Sequence, residues 1–181
     1  TAAIRERYLE KLALARETIP GLSITTDIIV GFPGETDDDF ERTLEVAAAA
    51  EFDAAFTFVF SPRPGTEAAE MTDRFVDHDV AVERYERLRT VIERSSLKAN
   101  MGRVGEVEEV TVEGPSKKDP SVLTGRTRRN TLVHFASPTS IKTGSYAMVA
   151  ITEGKTNHLL GNLIEVTMPA RHRTRIPVAA G

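Results

Sequence analysis

The sequence predicts two units in tandem: an α/β segment built on a parallel sheet, then a small five-stranded all-β barrel. Three observations predict it. The first hundred residues run helix, strand, helix, strand, helix, the rhythm of parallel α/β architecture. After Asn100 the pattern changes to five short strand-like stretches parted by turn signals. Charge divides at the same place: residues 1–98 carry 12 Lys and Arg against 20 Asp and Glu, and residues 99–181 carry 11 against 7. An acidic unit followed by a basic one suggests different partners, with nucleic acid a candidate for the second.

Residues 3–18 read as a helix, with Ile4, Tyr8, Leu12, Ala15 and Ile19 on one face and Pro20-Gly21 closing it. Residues 23–30 read as a strand whose last residues, Ile28-Ile29-Val30, form the continuous apolar run expected of burial on both faces. A second helix covers 37–50. Thr36 is its N-cap, Asp39 completes a capping box, and Asp37, Asp38 and Asp39 sit where the helix dipole favours anions. Residues 54–60, "AAFTFVF", read as a second strand buried on both faces. A Pro-rich loop, "SPRPGTEAAEM", leads to a long helix over 78–100 with Ala81, Tyr85, Leu88 and Ile92 on its buried stripe. Two strands do not make an independent sheet of this kind, so further strands are expected upstream or from another chain. The chain begins without Met and inside a helical pattern, as a piece of a longer protein does. The barrel strands are expected at 103–113, 121–126, 131–136, 145–153 and 159–167, and residues 169–181 as a flexible basic tail.

The composition narrows the chemistry. Hydrophobic residues make up 40% and charged residues 28% of the 181, which suits a globular chain. No apolar run approaches the ~20 residues of a membrane span, and charges interrupt the N-terminus too often for a secretory signal. A cytoplasmic protein that makes no membrane contact is expected. Cysteine is absent, which excludes disulfides, thiolate metal ligation and a thiol nucleophile within these residues. The four histidines lack the close spacing of a local metal site.

Three stretches have the composition of sites. The first is "DIIVGFPGETDDDF", where a strand ends at Gly31-Phe32-Pro33-Gly34 and an acidic helix follows. Gly31 and Gly34 let the backbone approach a flat ligand, or serve a tight turn alone. The acidic first turn speaks against a phosphate there, and neither a dinucleotide fingerprint nor a P-loop is present. Asp27 and Glu35 flank the turn as a possible acid/base pair, although a carboxylate in a buried strand more simply needs a hydrogen-bond partner. The second is "FSPRPGTEAA": Pro62 and Pro64 stiffen the chain around Arg63, whose guanidinium suits a carboxylate or phosphate, or pairs with Glu67 or Glu70. The third is the basic set Lys117, Lys118, Arg126, Arg128 and Arg129, supplemented by Lys142 and Lys155. These cations suit an RNA backbone or form a solvated basic surface. Aromatic residues for base stacking are scarce: Phe135 is expected in the core, leaving Tyr146. His158 either contacts RNA or closes a hairpin.

Taken in order, "TTDIIVGFPGETDDDFERTL", "FDAAFTFVFSPRPGTEAAEM", "ERYERL" and "VGEVEEVTVEG…LTGRTRRNTLVHF…GSYAMVAIT…HLLGN" resemble the C-terminal half of the radical S-adenosylmethionine methylthiotransferases, up to about residue 168. The resemblance implies that residues 1–98 are the C-terminal part of a radical-SAM partial (β/α) barrel and that residues 99–168 are a TRAM RNA-binding β-barrel. It implies S-adenosylmethionine and two 4Fe–4S clusters as cofactors, with Ile29, Gly31, Gly34 and Arg63 at the S-adenosylmethionine pocket. It implies tRNA, through its anticodon stem-loop, as partner, and a missing N-terminal part of the same protein. The reaction implied is reductive cleavage of S-adenosylmethionine to a 5′-deoxyadenosyl radical, hydrogen abstraction at C2 of N6-isopentenyladenosine, and insertion of a methylthio group. "SPRPGT" favours the tRNA-modifying branch, because enzymes of this family that modify a ribosomal protein tend to carry acidic residues where Arg63-Pro64 stand. Another tRNA adenosine or a ribosomal protein as substrate, or a non-catalytic RNA-binding protein, are the alternatives. The departure from the family is the missing cysteine: without cluster ligands, this chain alone is expected to be inactive.

Overall fold

A computed structural model describes residues 2–170, so the expected tail lies outside the described residues from residue 171 on. The chain divides into two compact units, Thr1–Gly102 with Lys155–Asn157, and Arg103–Gly154 with His158–Gly181.

The first unit contains α1 (Ala2–Thr18), β1 (Thr25–Val30), α2 (Asp37–Ala50), β2 (Ala54–Val59), the single-turn α3 (Glu67–Glu70), a 3₁₀ turn (Thr72–Arg74) and α4 (His78–Met101). β1 and β2 pair in parallel, with Asp27 opposite Phe56 and Ile29 opposite Phe58. Helix α2 begins at the predicted capping box: Thr36 accepts from the Asp39 amide and the Asp39 carboxylate accepts from the Thr36 amide. It ends at Glu51, which is in the left-handed conformation at φ 46°. The core comprises Val30, Phe40, Ala47, Ala50, Phe52, Leu88 and Ile92.

Neither strand is buried on both faces. Alternate residues are covered, and Ile29, Phe56 and Phe58 are 53%, 72% and 49% exposed. The helices cover the side bearing Ile28 and Val30, and period-two alternation sends Asp27, Ile29, Phe56 and Phe58 to the other. The apolar run in β1 therefore records an apolar open face. Asp27 is exposed on that face, so it is not the buried carboxylate that the strand pattern suggested. The predicted stripe of α1 also shifts. Leu9 and Leu12 pack on the core, whereas Ile4, Tyr8 and Ile19 are exposed.

The second unit is a closed barrel of β3 (Val107–Pro115), β4 (Val122–Thr127), β5 (Leu132–Ala136), β6 (Tyr146–Gly154) and β7 (Leu159–Met168), in the order β3-β4-β5-β7-β6. All pairs are antiparallel except β5–β7. Valines 110, 112, 133 and 149 fill the interior with Phe135, Ile141, Ala147, Ile151 and Leu159. Closure leaves the sheet no edge. Arg103 is buried just before β3. Its guanidinium donates to Glu108, to the Thr131 hydroxyl at 2.7 Å and to the Thr127 hydroxyl at 3.1 Å.

Candidate functional sites

In the first unit, the parallel strands bring two loops to one edge of the sheet, the side on which α/β proteins place ligands. Gly31 and Gly34 have φ of +72° and +83°, which L side chains rarely adopt. Their surroundings add a second demand. A Cβ on Gly31 would stand 2.7 Å from the Ala81 Cβ, and one on Gly34 would stand 2.3 Å from Nη2 of Arg74. Helix packing and turn geometry therefore account for both glycines without a ligand.

Glu35 braces the turn. Its carboxylate accepts from the Gly31 amide at 2.8 Å and the Phe32 amide at 3.3 Å. Arg84, buried on α4, donates to the Glu35 carboxylate at 3.1 Å, to its carbonyl at 3.2 Å and to Asp37 at 2.6 Å. Glu35 is thus committed to the backbone and to an ion pair, and it does not form an acid/base pair with the exposed Asp27. The Gly34 amide donates to the Arg74 carbonyl at 2.8 Å, and the Glu35 amide to the Phe32 carbonyl at 2.9 Å. The amides at 31, 32, 34 and 35 are therefore all engaged by neighbouring groups. A 4Fe–4S cluster finds no thiolate ligand, because the chain has no cysteine. Among the described residues no group of three or more His, Asp or Glu could hold a metal ion.

Arg63 follows β2. It opens a turn in which the Thr66 amide and hydroxyl donate to its carbonyl at 3.2 and 2.8 Å, with Gly65 at φ +84°. Its side chain is exposed and pairs with neither Glu67 nor Glu70. A recess of about 720 Å³ in this unit lies elsewhere. Ile4, Tyr8, Ile28, Val46 and Phe52 line it on the helix-covered side of β1, and none of Ile29, Gly31, Gly34 and Arg63 contributes.

The barrel separates its basic residues. Lys117 and Lys118 lie between β3 and β4, and Arg128 and Arg129 lie between β4 and β5. Turns at the two ends of a six-residue strand stand about 20 Å apart, so sequence neighbours are not spatial neighbours here. Lys142, in the β5–β6 connection, falls at the end holding Lys117 and Lys118. Arg126 is on β4 and partly committed, donating to Glu113 at 3.2 Å and to the Asn130 carbonyl at 3.0 Å. Phe135 is buried, as the alternation along its strand predicts, and Tyr146 is 38% exposed. His158 lies at the start of β7 with its ring edge-on to His134, centroids 5.0 Å apart.

Reasoning from sequence missed Arg84, Arg103 and Arg74. Arg84 was detectable, because it occupies the same helical stripe as Ala81 and Leu88. Arg103 pairs with Glu108 five positions on, but the Thr127 and Thr131 hydroxyls that complete its site are more than twenty positions away.

The second unit is a small closed five-stranded barrel, and residues 103–164 match the family profile of the TRAM domain. The chain as a whole is a relative of enzymes named tRNA-2-methylthio-N(6)-dimethylallyladenosine synthase. It is 48% identical to the one from Anoxybacillus flavithermus over 92% of this chain and 31% of that protein. The figures are 45%, 95% and 32% for the one from Geobacillus kaustophilus, and 48%, 89% and 36% for the one from Moorella thermoacetica. The chain therefore spans about a third of the length of the curated relatives it matches.

Proposed function

We propose that this chain supplies the tRNA-binding barrel and one wall of the S-adenosylmethionine pocket of a radical-SAM tRNA methylthiotransferase. The assembled enzyme adds a methylthio group at C2 of N6-isopentenyladenosine near the anticodon, in the cytoplasm. The observation that carries this reading is the joint one: a TRAM barrel directly after an α/β segment, in a chain 45–48% identical to synthases of that name.

In this reading Ile29 packs on the adenine, the carbonyls of the Gly31–Gly34 turn accept from its amino group, and Arg63 borders the same cavity. S-adenosylmethionine, when bound, supplies the adenosyl and methyl groups of the chemistry. The residues of this chain hold and orient it, and the Glu35–Arg84 pair keeps the turn in shape. The iron–sulfur clusters find no thiolate in this chain, and the chain alone is inactive. Lys117, Lys118, Arg128 and Arg129 contact phosphates of an anticodon stem-loop, with Arg126 contributing less because of its bond to Glu113.

Mass spectrometry of hydrolysed tRNA from a strain lacking the gene tests the substrate. Loss of 2-methylthio-N6-isopentenyladenosine is expected. Unchanged levels would overturn the assignment in favour of another adenosine or a ribosomal protein.

A further inference from the structure

A buried ion pair at the start of the barrel reaches into one of its basic turns. Arg103 keeps 3% of its surface exposed. Its Nε and Nη2 atoms donate to the two carboxylate oxygens of Glu108, a bidentate pairing. The same guanidinium goes on to the turn between β4 and β5. Nη2 donates to the Thr127 hydroxyl at 3.1 Å and Nη1 to the Thr131 hydroxyl at 2.7 Å. Thr127 ends β4, Thr131 stands just before β5, and Arg128-Arg129-Asn130 form the tip between them.

The turn closes around these two threonines. The Thr127 amide donates to the Thr131 carbonyl at 3.0 Å, and the Asn130 amide to the Thr127 carbonyl at 2.9 Å. The Thr131 amide donates to the Thr127 hydroxyl at 3.3 Å. Arg103 is itself fixed to the barrel. Its carbonyl accepts from the Glu106 amide at 3.0 Å, and the Gly105 amide and Glu106 carbonyl each bond to Ile151 of β6 at 2.9 Å. The Lys117-Lys118 loop is built differently, from its own residues. The Lys118 amide donates to the Ser116 hydroxyl at 3.3 Å, and the Ser121 amide to the Asp119 carboxylate at 3.0 Å.

A buried ion pair adds little net stability over well-packed apolar residues of similar volume. It does impose geometry, because a planar guanidinium meets several acceptors at once only in one arrangement. Here two of those acceptors bracket the arginines of the turn. We propose that Arg103, held by Glu108, is a positioning residue for RNA binding. It sets the β4–β5 turn so that Arg128 and Arg129 face phosphates, and it touches no RNA itself. The inference rests on the reading of the barrel as a tRNA binder, and it adds what orders one of the two basic turns.

The test uses the 181-residue chain and a labelled anticodon stem-loop RNA, with binding read by fluorescence anisotropy at several salt concentrations. Arg103→Met/Glu108→Leu removes both charges together, so no carboxylate is left buried and unpaired. It is expected to weaken binding about tenfold, within the range for residues coupled through one network, and to lower the slope of log K against log salt. In an Arg128→Ala/Arg129→Ala background the same change is expected to have no further effect. In a Lys117→Ala/Lys118→Ala background it is expected to keep its full effect. A general loosening of the barrel would act equally in both backgrounds, and that outcome overturns the proposal. Parent-level binding by Arg103→Met/Glu108→Leu also overturns it. If the parent binds the stem-loop and Arg128→Ala/Arg129→Ala binds it equally well, the proposal falls and the barrel reading stands. If the parent does not bind, both fall. Should Arg103→Met/Glu108→Leu fail to fold, Thr131→Val takes its place. It removes one acceptor of Arg103 at a half-buried position and keeps the side-chain shape, and the same outcomes decide.

Discussion

Single residues around the glycine turn do measurable work. Gly31 and Gly34 both adopt positive φ, which costs a side-chain-bearing residue roughly 1–2 kcal/mol. Their neighbours differ in stiffness: Gly31 faces a Cβ fixed on α4, whereas Gly34 faces the tip of the flexible Arg74. Gly31→Ala should therefore destabilise by about 3 kcal/mol and Gly34→Ala by about 1–2 kcal/mol. Equal losses in urea unfolding would refute the distinction. At the α2 cap, the hydrogen bond from the Thr36 hydroxyl, then that from its amide, holds the Asp39 carboxyl below the ordinary carboxylate range. A depressed folded-state value has a definite sign. The contribution is complete above the unfolded value of about 4 and is lost as pH falls through the folded value. Thr36→Ala should return the Asp39 titration, followed by carboxyl NMR, towards that unfolded value. Identical titration curves in both proteins would show that the cap does not set it.

Among the elements, what was legible in the sequence depended on how far apart the determinants lie. Helix α2 and its capping box, β2, α4 and all five barrel strands follow from periodicity, turn residues and caps, which act within a few positions. Burial across the sheet did not follow. An apolar run such as Ile28-Ile29-Val30 reads the same whether its second face meets helices or remains open, and only the set of neighbouring elements decides. The basic residues make the same point. Lys117-Lys118 and Arg128-Arg129 lie close in sequence, yet β4 holds them at opposite ends. Removing either pair should lower the salt slope of RNA binding by about 1.4 to 1.8, and removing both should be additive, because the two sites are well separated. Arg126→Ala should change it less. If one pair accounts for the whole slope, the RNA uses only one end of the barrel.

For the molecule as a whole, the two units differ in how completely each buries its own apolar surface. The barrel closes on itself and buries nine core residues. The α/β unit has a two-stranded sheet with an open face on which Ile29, Phe56 and Phe58 are exposed. A contiguous apolar surface of this kind marks an interaction site or an aggregation hazard, and parallel sheets ordinarily have both faces covered. The open face leads to one conclusion: this unit does not complete a sheet by its own residues. The succession of α/β segment and barrel was legible in the motif order, whereas the open face became visible only once the strands were paired. Residues 103–170, expressed alone, should unfold in a single cooperative, concentration-independent transition. Residues 1–102, expressed alone, should bind an apolar dye and associate as concentration rises, and Phe56→Ser/Phe58→Ser should reduce both effects without lowering helix content. A cooperative, monomeric thermal transition of residues 1–102 with no dye binding would show that the open face carries no such penalty.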